Sequence, residues 1–331
     1  MLSINVSGDC GKISAIKKDE ENNLVVFQDT GIAVILYNNQ TLQATDLAPI
    51  ELVNNNKVNG LKYISSTIGC SNKWAIQPSE FGIIFADSKT KTLWKLNNGK
   101  CVDLSLTSGM KSWFLKHSND KAWSHKVYKN FKISYDIVNK DFYLINSDSC
   151  LCYNGEVAIS FYDYEDTPAL FSLHNKYYCF KSAAQETEGK YITEVHSMFT
   201  GEYNKFFGVF KDSSMTYLAN KNPTRDKTFT NFEYRCDIYD VEANTTLPMT
   251  HETFSTIRAY NEYQDSGDIV LTPGIVKMNN IRKKFRIWRG LIPRDFNGRN
   301  RIRNPWMYLT ITKKFTKNIK FELHDMVIKS I

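Results

Sequence analysis

Gly82-Ile83-Ile84-Phe85-Ala86-Asp87, then Ser88-Lys89-Thr90-Lys91, then Thr92-Leu93-Trp94-Lys95-Leu96: this stretch decides the fold class. Two apolar runs of strand length flank a short polar turn, the signature of a β-hairpin. The unit recurs as Leu24–Phe27 and Ile32–Tyr37 around Gln28-Asp29-Thr30-Gly31, and as Asp141–Ile145 and Ser149–Tyr153 around Asn146-Ser147-Asp148. Fainter copies run from Ala169 to Phe180 and from Phe206 to Leu218. The hairpins recur at intervals of roughly 35–55 residues, the spacing of propeller blades. In a blade each hairpin would form the inner part, with a turn Asp accepting backbone N–H groups. A β-sandwich with several hairpins accounts for the same pattern, and the recurrence favours the array.

The rest of the chain agrees with an all-β reading. Aromatics make up 13% of the 331 residues, and aromatic side chains suit a pleated, half-buried sheet surface. A helical period is hard to find. Phe229–Asp240 and Thr253–Tyr263 alternate apolar and polar residues and read as longer strands; Phe285–Arg289, Met307–Ile311 and Ile319–Leu323 alternate likewise. The expected organisation is a degenerate β-propeller-like array of hairpins over residues 1–225. A small C-terminal β-sheet module with a basic loop, Pro293–Pro305, follows over residues 226–331.

Charge is unevenly placed. The net charge is +7, and between Lys277 and Lys320 lysines and arginines crowd together with Asp295 as the single acid. Arg and Trp are enriched at protein interfaces. Trp288, Arg289, Arg294, Arg299, Arg301, Arg303 and Trp306 are therefore the candidate contact residues. Interleaved with aromatics such as Phe296, the same cations could grip a phosphate backbone or stack on exposed bases. The interface reading is preferred, with DNA as a transient contact.

Enzyme chemistry finds little support. No phosphate-cradling glycine loop, HExxH zinc site or GxSxG elbow is present, and the six histidines are dispersed. Asp163, Glu165 and Asp166 are the best carboxylate cluster, which a glycan-cleaving propeller would need, but a solvated turn explains them more simply. The seven cysteines are scattered and odd in number, which points to reduced thiols made in a cytoplasm. Cys150 and Cys152 share a strand face and read as small buried hydrophobes rather than metal ligands. No cofactor or metal, no secretory signal and no membrane span is expected.

Several runs together resemble the tail proteins of crAss-like bacteriophages. They are Gly69–Ile76, Gly82–Ser88, Leu93–Asn97, Ser112–Phe114, Tyr135–Ile145, Cys150–Asn154, Phe161–Glu165, Trp288–Arg294 and Arg301–Trp306, ordered along residues 69–331. Members of that family are much longer, so the resemblance implies a shortened version or a fragment. It also implies a structural, non-enzymatic role: a homo-oligomer, joined to other tail proteins, around the channel through which the genome leaves. The competing expectation is a β-rich module that binds glycans of the host surface through exposed Tyr and Trp.

Overall fold

In a computed structural model of the chain, an aspartate opens three of the turns that fold the first part of the chain back on itself. Asp19, Asp87 and Asp136 each accept the backbone N–H two residues on, from Glu21 (3.0 Å), Lys89 (2.8 Å) and Val138 (2.9 Å). Such Asx turns fix the chain reversal locally and match the turn chemistry expected from the sequence. At Asn98-Gly99 and His174-Asn175 two consecutive residues have positive φ. Two-residue hairpin loops need that geometry to follow the twist of their strands. The structure describes residues 5–42, 50–87, 89–107, 110–117, 131–145, 149–156, 158–162, 169–187, 190–242, 245–273 and 280–331.

The chain divides into two compact units, Met1–Phe199 and Thr200–Ile331. In the first, antiparallel meanders follow one another in sequence. The first sheet comprises Ile13–Lys18, Leu24–Gln28, Ile32–Leu42 and Ile50–Ser65; the second Ile76–Ser79, Gly82–Asp87, Thr92–Asn97 and Lys100–Asp103. The third runs through Lys132–Asp136, Asp141–Ile145, Cys150–Tyr153 and Ala158–Tyr162, and the fourth through Ala169–Leu173, Lys176–Thr187 and Lys190–Ser197. Pro78 lies in an outer strand of the second sheet, where its missing N–H costs least. Two short helices, Leu104–Thr107 and Lys111–His117, interrupt the strands where no helical period had been read.

In each of the first three sheets at least one inner strand is buried on both faces. Val25 to Gln28, Gly82 to Asp87, Phe142 to Ile145 and Cys150 to Tyr153 are each buried without alternation. A strand with one face in water would alternate instead. The first three sheets share one core, with Phe27 and Phe85 edge-to-face at 5.2 Å. The Ser172 hydroxyl donates to the Tyr135 carbonyl (2.7 Å) and Tyr143 packs on Tyr177 at 5.3 Å, which joins the fourth sheet to the third.

The second unit is built on the strand Lys227–Glu242. It pairs with Ile319–Ser330 on one side and with Ile287–Leu291 and Thr245–Pro248 on the other. A second sheet runs in the order Ser213–Ala219, Met307–Lys313, Thr256–Tyr260, Ile269–Val270. Phe232, Tyr234, Cys236 and Ile238 from the first sheet meet Ile257, Ala259, Met307, Leu309 and Ile311 from the other in one core. The period of two in both sets is what a two-layer sandwich requires.

Three expectations are corrected. The division at 225/226 falls inside the second unit, because Ser213–Ala219 pairs with Met307–Lys313. For the same reason the fifth expected hairpin is reduced to Lys205–Phe206 with Val209–Phe210. Phe285 and Arg286 do not extend a strand; both have positive φ and form the turn between Ile281–Lys284 and Ile287–Leu291.

Gln28 ties the start of the chain to the first sheet. Fully buried, it donates to the carbonyls of Ser7 (2.9 Å) and Gly11 (2.8 Å) and accepts from the Tyr63 hydroxyl (2.7 Å). Replacing it with Leu strands all three partners, so Gln28→Leu should lower stability by about 2–4 kcal/mol in urea unfolding. A loss under about 0.5 kcal/mol would show that this network carries no weight.

Candidate interaction surface

Two buried isoleucines bracket the arginine-rich loop. Ile292 donates its N–H to the Thr230 carbonyl (2.9 Å), and the Ile302 carbonyl accepts from the Phe229 N–H (3.0 Å). The loop therefore leaves and rejoins the sandwich at one place on the strand Lys227–Glu242. Asp295 shapes what lies between: its carboxylate accepts from the backbone N–H groups of Asp265 (3.0 Å) and Gly298 (2.7 Å). The Phe296 N–H donates to the Asp265 carbonyl (2.8 Å). The single acid of the basic stretch is thus engaged with loop backbone.

The cations of the region fall into two groups. Arg286 pairs with Asp237 (2.8 Å), Arg289 with Glu233 (3.3 Å), Lys313 with Glu252 (2.9 Å) and Lys320 with Glu322 (2.5 Å); Lys317 pairs with Asp240. Glu233 also takes Lys329 (2.6 Å), and that hydrogen bond, helped by Arg289, holds its carboxyl below the usual glutamate value. Asp237 is lowered in the same way, by His324 first and Arg286 second. Arg282, Arg299, Arg301 and Arg303, by contrast, have no carboxylate within 4.0 Å among the described residues. Arg294 donates to the Arg299 carbonyl (3.1 Å).

The candidate residues divide accordingly. Arg294, Arg299, Arg301 and Arg303 are exposed, and Arg289 faces out beside Glu233. Trp306 is half-buried and edge-on to Tyr308 at 5.1 Å, and Tyr308 packs on Tyr260 at 5.3 Å. Trp288 is a correction: at 2% exposure it belongs to the core and not to a contact surface. Its register partner is the buried Tyr234, so its parity on the strand turns it inward. Asp163, Glu165 and Asp166 lie outside the described residues.

An open cleft of about 710 Å³ gathers part of this chemistry. Arg282, Arg289, Arg294 and Arg299 line it together with Leu291 and Phe296, whereas Arg301, Arg303 and Trp306 do not. Arg282 was missed from the sequence. Arg282 and Arg289 are equidistant from the Phe285-Arg286 turn, which makes them register partners once the turn is recognised. All seven cysteines are free thiols; burial pushes Cys70 up to about 12 and Cys101, Cys179 and Cys236 up to about 11. They are packing groups rather than nucleophiles. Among the described residues no three His, Cys, Asp or Glu side chains gather as a metal site.

The sequence model of the crassvirus muzzle protein matches residues 3–183, and that of the crassvirus muzzle protein C-terminal domain matches residues 201–295. The chain belongs to the crassvirus muzzle protein family. The muzzle protein of Bacteroides phage crAss001 is 37% identical over 330 residues, which cover 98% of this chain and 23% of that protein. The chain therefore spans about a quarter of the length of this relative. As a family member it is a structural protein of a crAss-like phage. The resemblance seen in the sequence holds, and it reaches further than the residues that carried it, into the first 68 positions. The two family matches meet between residues 183 and 201, beside the division of the units at 199/200.

If Trp288 is a core residue, Trp288→Ala should lower the unfolding free energy by about 3–5 kcal/mol. Thermal or chemical denaturation of the variant reads this directly, and unchanged stability would return Trp288 to the surface.

Proposed function

We propose that this chain is a non-enzymatic part of the distal end of a short phage tail. In this reading it assembles as a homo-oligomer with other tail proteins around the channel and takes part in its closure, in genome exit or in host contact. Family membership across both units carries the proposal. The first unit serves as a rigid, propeller-like array. Its successive meanders, the first three each with an inner strand buried on both faces, agree with blades stacked side by side. The second unit supplies the contact. Its outward arginines are desolvated most favourably by carboxylates of a neighbouring subunit, and exiting DNA would meet the same charges transiently. Seven free thiols agree with assembly in the reducing cytoplasm of the host.

Mass photometry of the chain, alone and mixed with the other tail proteins of its phage, tests this reading. The native chain should enter a discrete complex. Replacing Arg301 and Arg303 with Glu should weaken entry by about tenfold or more, since charge reversal at a contact costs several kcal/mol. Equal entry of the variant would remove these arginines from the interface, and a native chain that joins nothing would overturn the structural role.

One observation favours host contact through glycans. Tyr260, Tyr308 and Trp306 form an aromatic row, and the Arg258 guanidinium lies 5.2 Å from the Tyr260 ring centre. Half-exposed rings beside polar groups suit the amphipathic faces of sugars. A glycan array should then give hits that Trp306→Ala and Tyr260→Ala abolish; a blank array removes this reading.

A further inference from the structure

The arginine cleft of the second unit has features that a general basic surface lacks. Arg282 and Arg289 are opposite each other on neighbouring strands, so their side chains emerge on one face about 5 Å apart at Cβ. Like charges so placed repel. Arg289 is offset by Glu233, but that carboxylate is already shared with Lys329, and Arg282 has no carboxylate within reach among the described residues. Arg294 and Arg299 add two further guanidinium groups from the loop, and Asp295, the acid among them, is engaged with the N–H groups of Asp265 and Gly298. The free subunit thus holds converging positive charge that an incoming anion would relieve.

The cleft is also apolar. Phe296 is 75% exposed and Leu291 68% exposed, and Ile257, Leu271 and Ile292 contribute buried neighbours from the core. Two large hydrophobic side chains left in water beside unpaired arginines mark a surface that a partner covers. The loop bearing Phe296 is already held by hydrogen bonds from Phe296 and to Asp295, so little conformational freedom is lost when a ligand arrives.

We propose that this cleft receives an acidic peptide segment of a neighbouring tail protein, with an apolar side chain seated between its carboxylates. The proposal deepens the contact role given to the second unit and rests on that reading. Guanidinium groups take carboxylates in a bidentate fashion, which supplies the polar half of the match. The apolar half separates a peptide from nucleic acid. Phe296 is the one aromatic among the lining residues, and Leu291, Ile269 and Pro293 are aliphatic, whereas single-stranded nucleic acid is held by successive aromatic platforms. A volume of about 710 Å³ holds a few side chains.

Fluorescence anisotropy of the full chain with three labelled probes tests the proposal. The probes are the peptide Asp-Glu-Phe-Glu-Asp, the same peptide with Gly in place of Phe, and a single-stranded oligothymidine. The first should bind, and the second should bind about tenfold more weakly for want of the buried ring. Arg282→Ala, Arg294→Ala and Phe296→Ala should each weaken the first by about tenfold, whereas Arg225→Ala and Lys314→Ala, exposed cations of the same unit outside the cleft, should stay within about twofold. Thermal unfolding checks that each variant is folded. Oligothymidine bound as tightly as the peptide, or losses spread equally over Arg225 and Lys314, would overturn the cleft in favour of a general phosphate-binding surface. So would the absence of binding to any probe. Carrying the cleft variants into the mass-photometry assay separates the two proposals. A native chain that joins the tail complex but binds no peptide keeps its structural role and loses the cleft. A chain that binds the peptide but joins nothing does the reverse.

Discussion

The strand Lys227–Glu242 is hydrogen-bonded along both edges, and the second unit follows from that constraint. Its backbone takes Ile319–Ser330 on one side through Phe229–Asp240, and Ile287–Leu291 on the other through Asn231–Tyr234. A strand saturated on both edges has one remaining way to gain stability, which is to bury one face. Phe232, Tyr234, Cys236 and Ile238 do so at a strict period of two. Phe229 would fall out of phase, but an extra residue at Thr230, opposed by no partner, restores it to the core. A second irregularity, on the partner strand, leaves His324 unpaired in the ladder and brings its ring to Asp237 at 2.9 Å. Bulges of this kind re-aim side chains without ending the pairing.

The sequence made the local pairings legible because they depend on adjacent residues. The hairpin Gly82–Asp87 with Thr92–Asn97 pairs Ile83 with Leu96 and Phe85 with Trp94, in the register its turn implies. The long strand expected at Phe229–Asp240 is present for the same reason: its alternation is visible without knowing any partner. Ser213–Ala219 was assigned to the wrong neighbour because its partner, Met307–Lys313, lies far along the chain and no local signal connects them. Trp288 failed on parity. An alternating run announces a strand but not which half of it faces in, and the turn at Phe285-Arg286, occupied by residues that rarely adopt positive φ, disguised where the strand begins.

The basic stretch was legible as composition and illegible as chemistry. Whether a lysine or arginine is free depends on registers between distant segments: Lys329 reaches Glu233, and Lys317 reaches Asp240, through pairings that a linear reading does not contain. Both pairs leave their lysine half in solvent, where each contributes little alone. Their larger consequence is to remove cations from the set available to a partner. What remains is a smaller group, most of it arginine, on or beside a loop anchored at Ile292 and Ile302.

That residue is arginine rather than lysine in the remaining group has a physical consequence. A lysine ammonium is compact and strongly hydrated, whereas a guanidinium is planar, weakly hydrated and shaped for two parallel bonds to one carboxylate. Arginine therefore tolerates being taken out of water at a contact better than lysine does. Placed beside exposed Phe296 and Leu291, it makes a surface that is soluble in the free chain and apolar once its charges are matched. Neither half suffices alone: unmatched arginines repel an uncharged partner by their hydration, and apolar residues without them would join any hydrophobic surface. In the cleft proposed above, the combination favours association only with a segment that brings negative charge and an apolar group together.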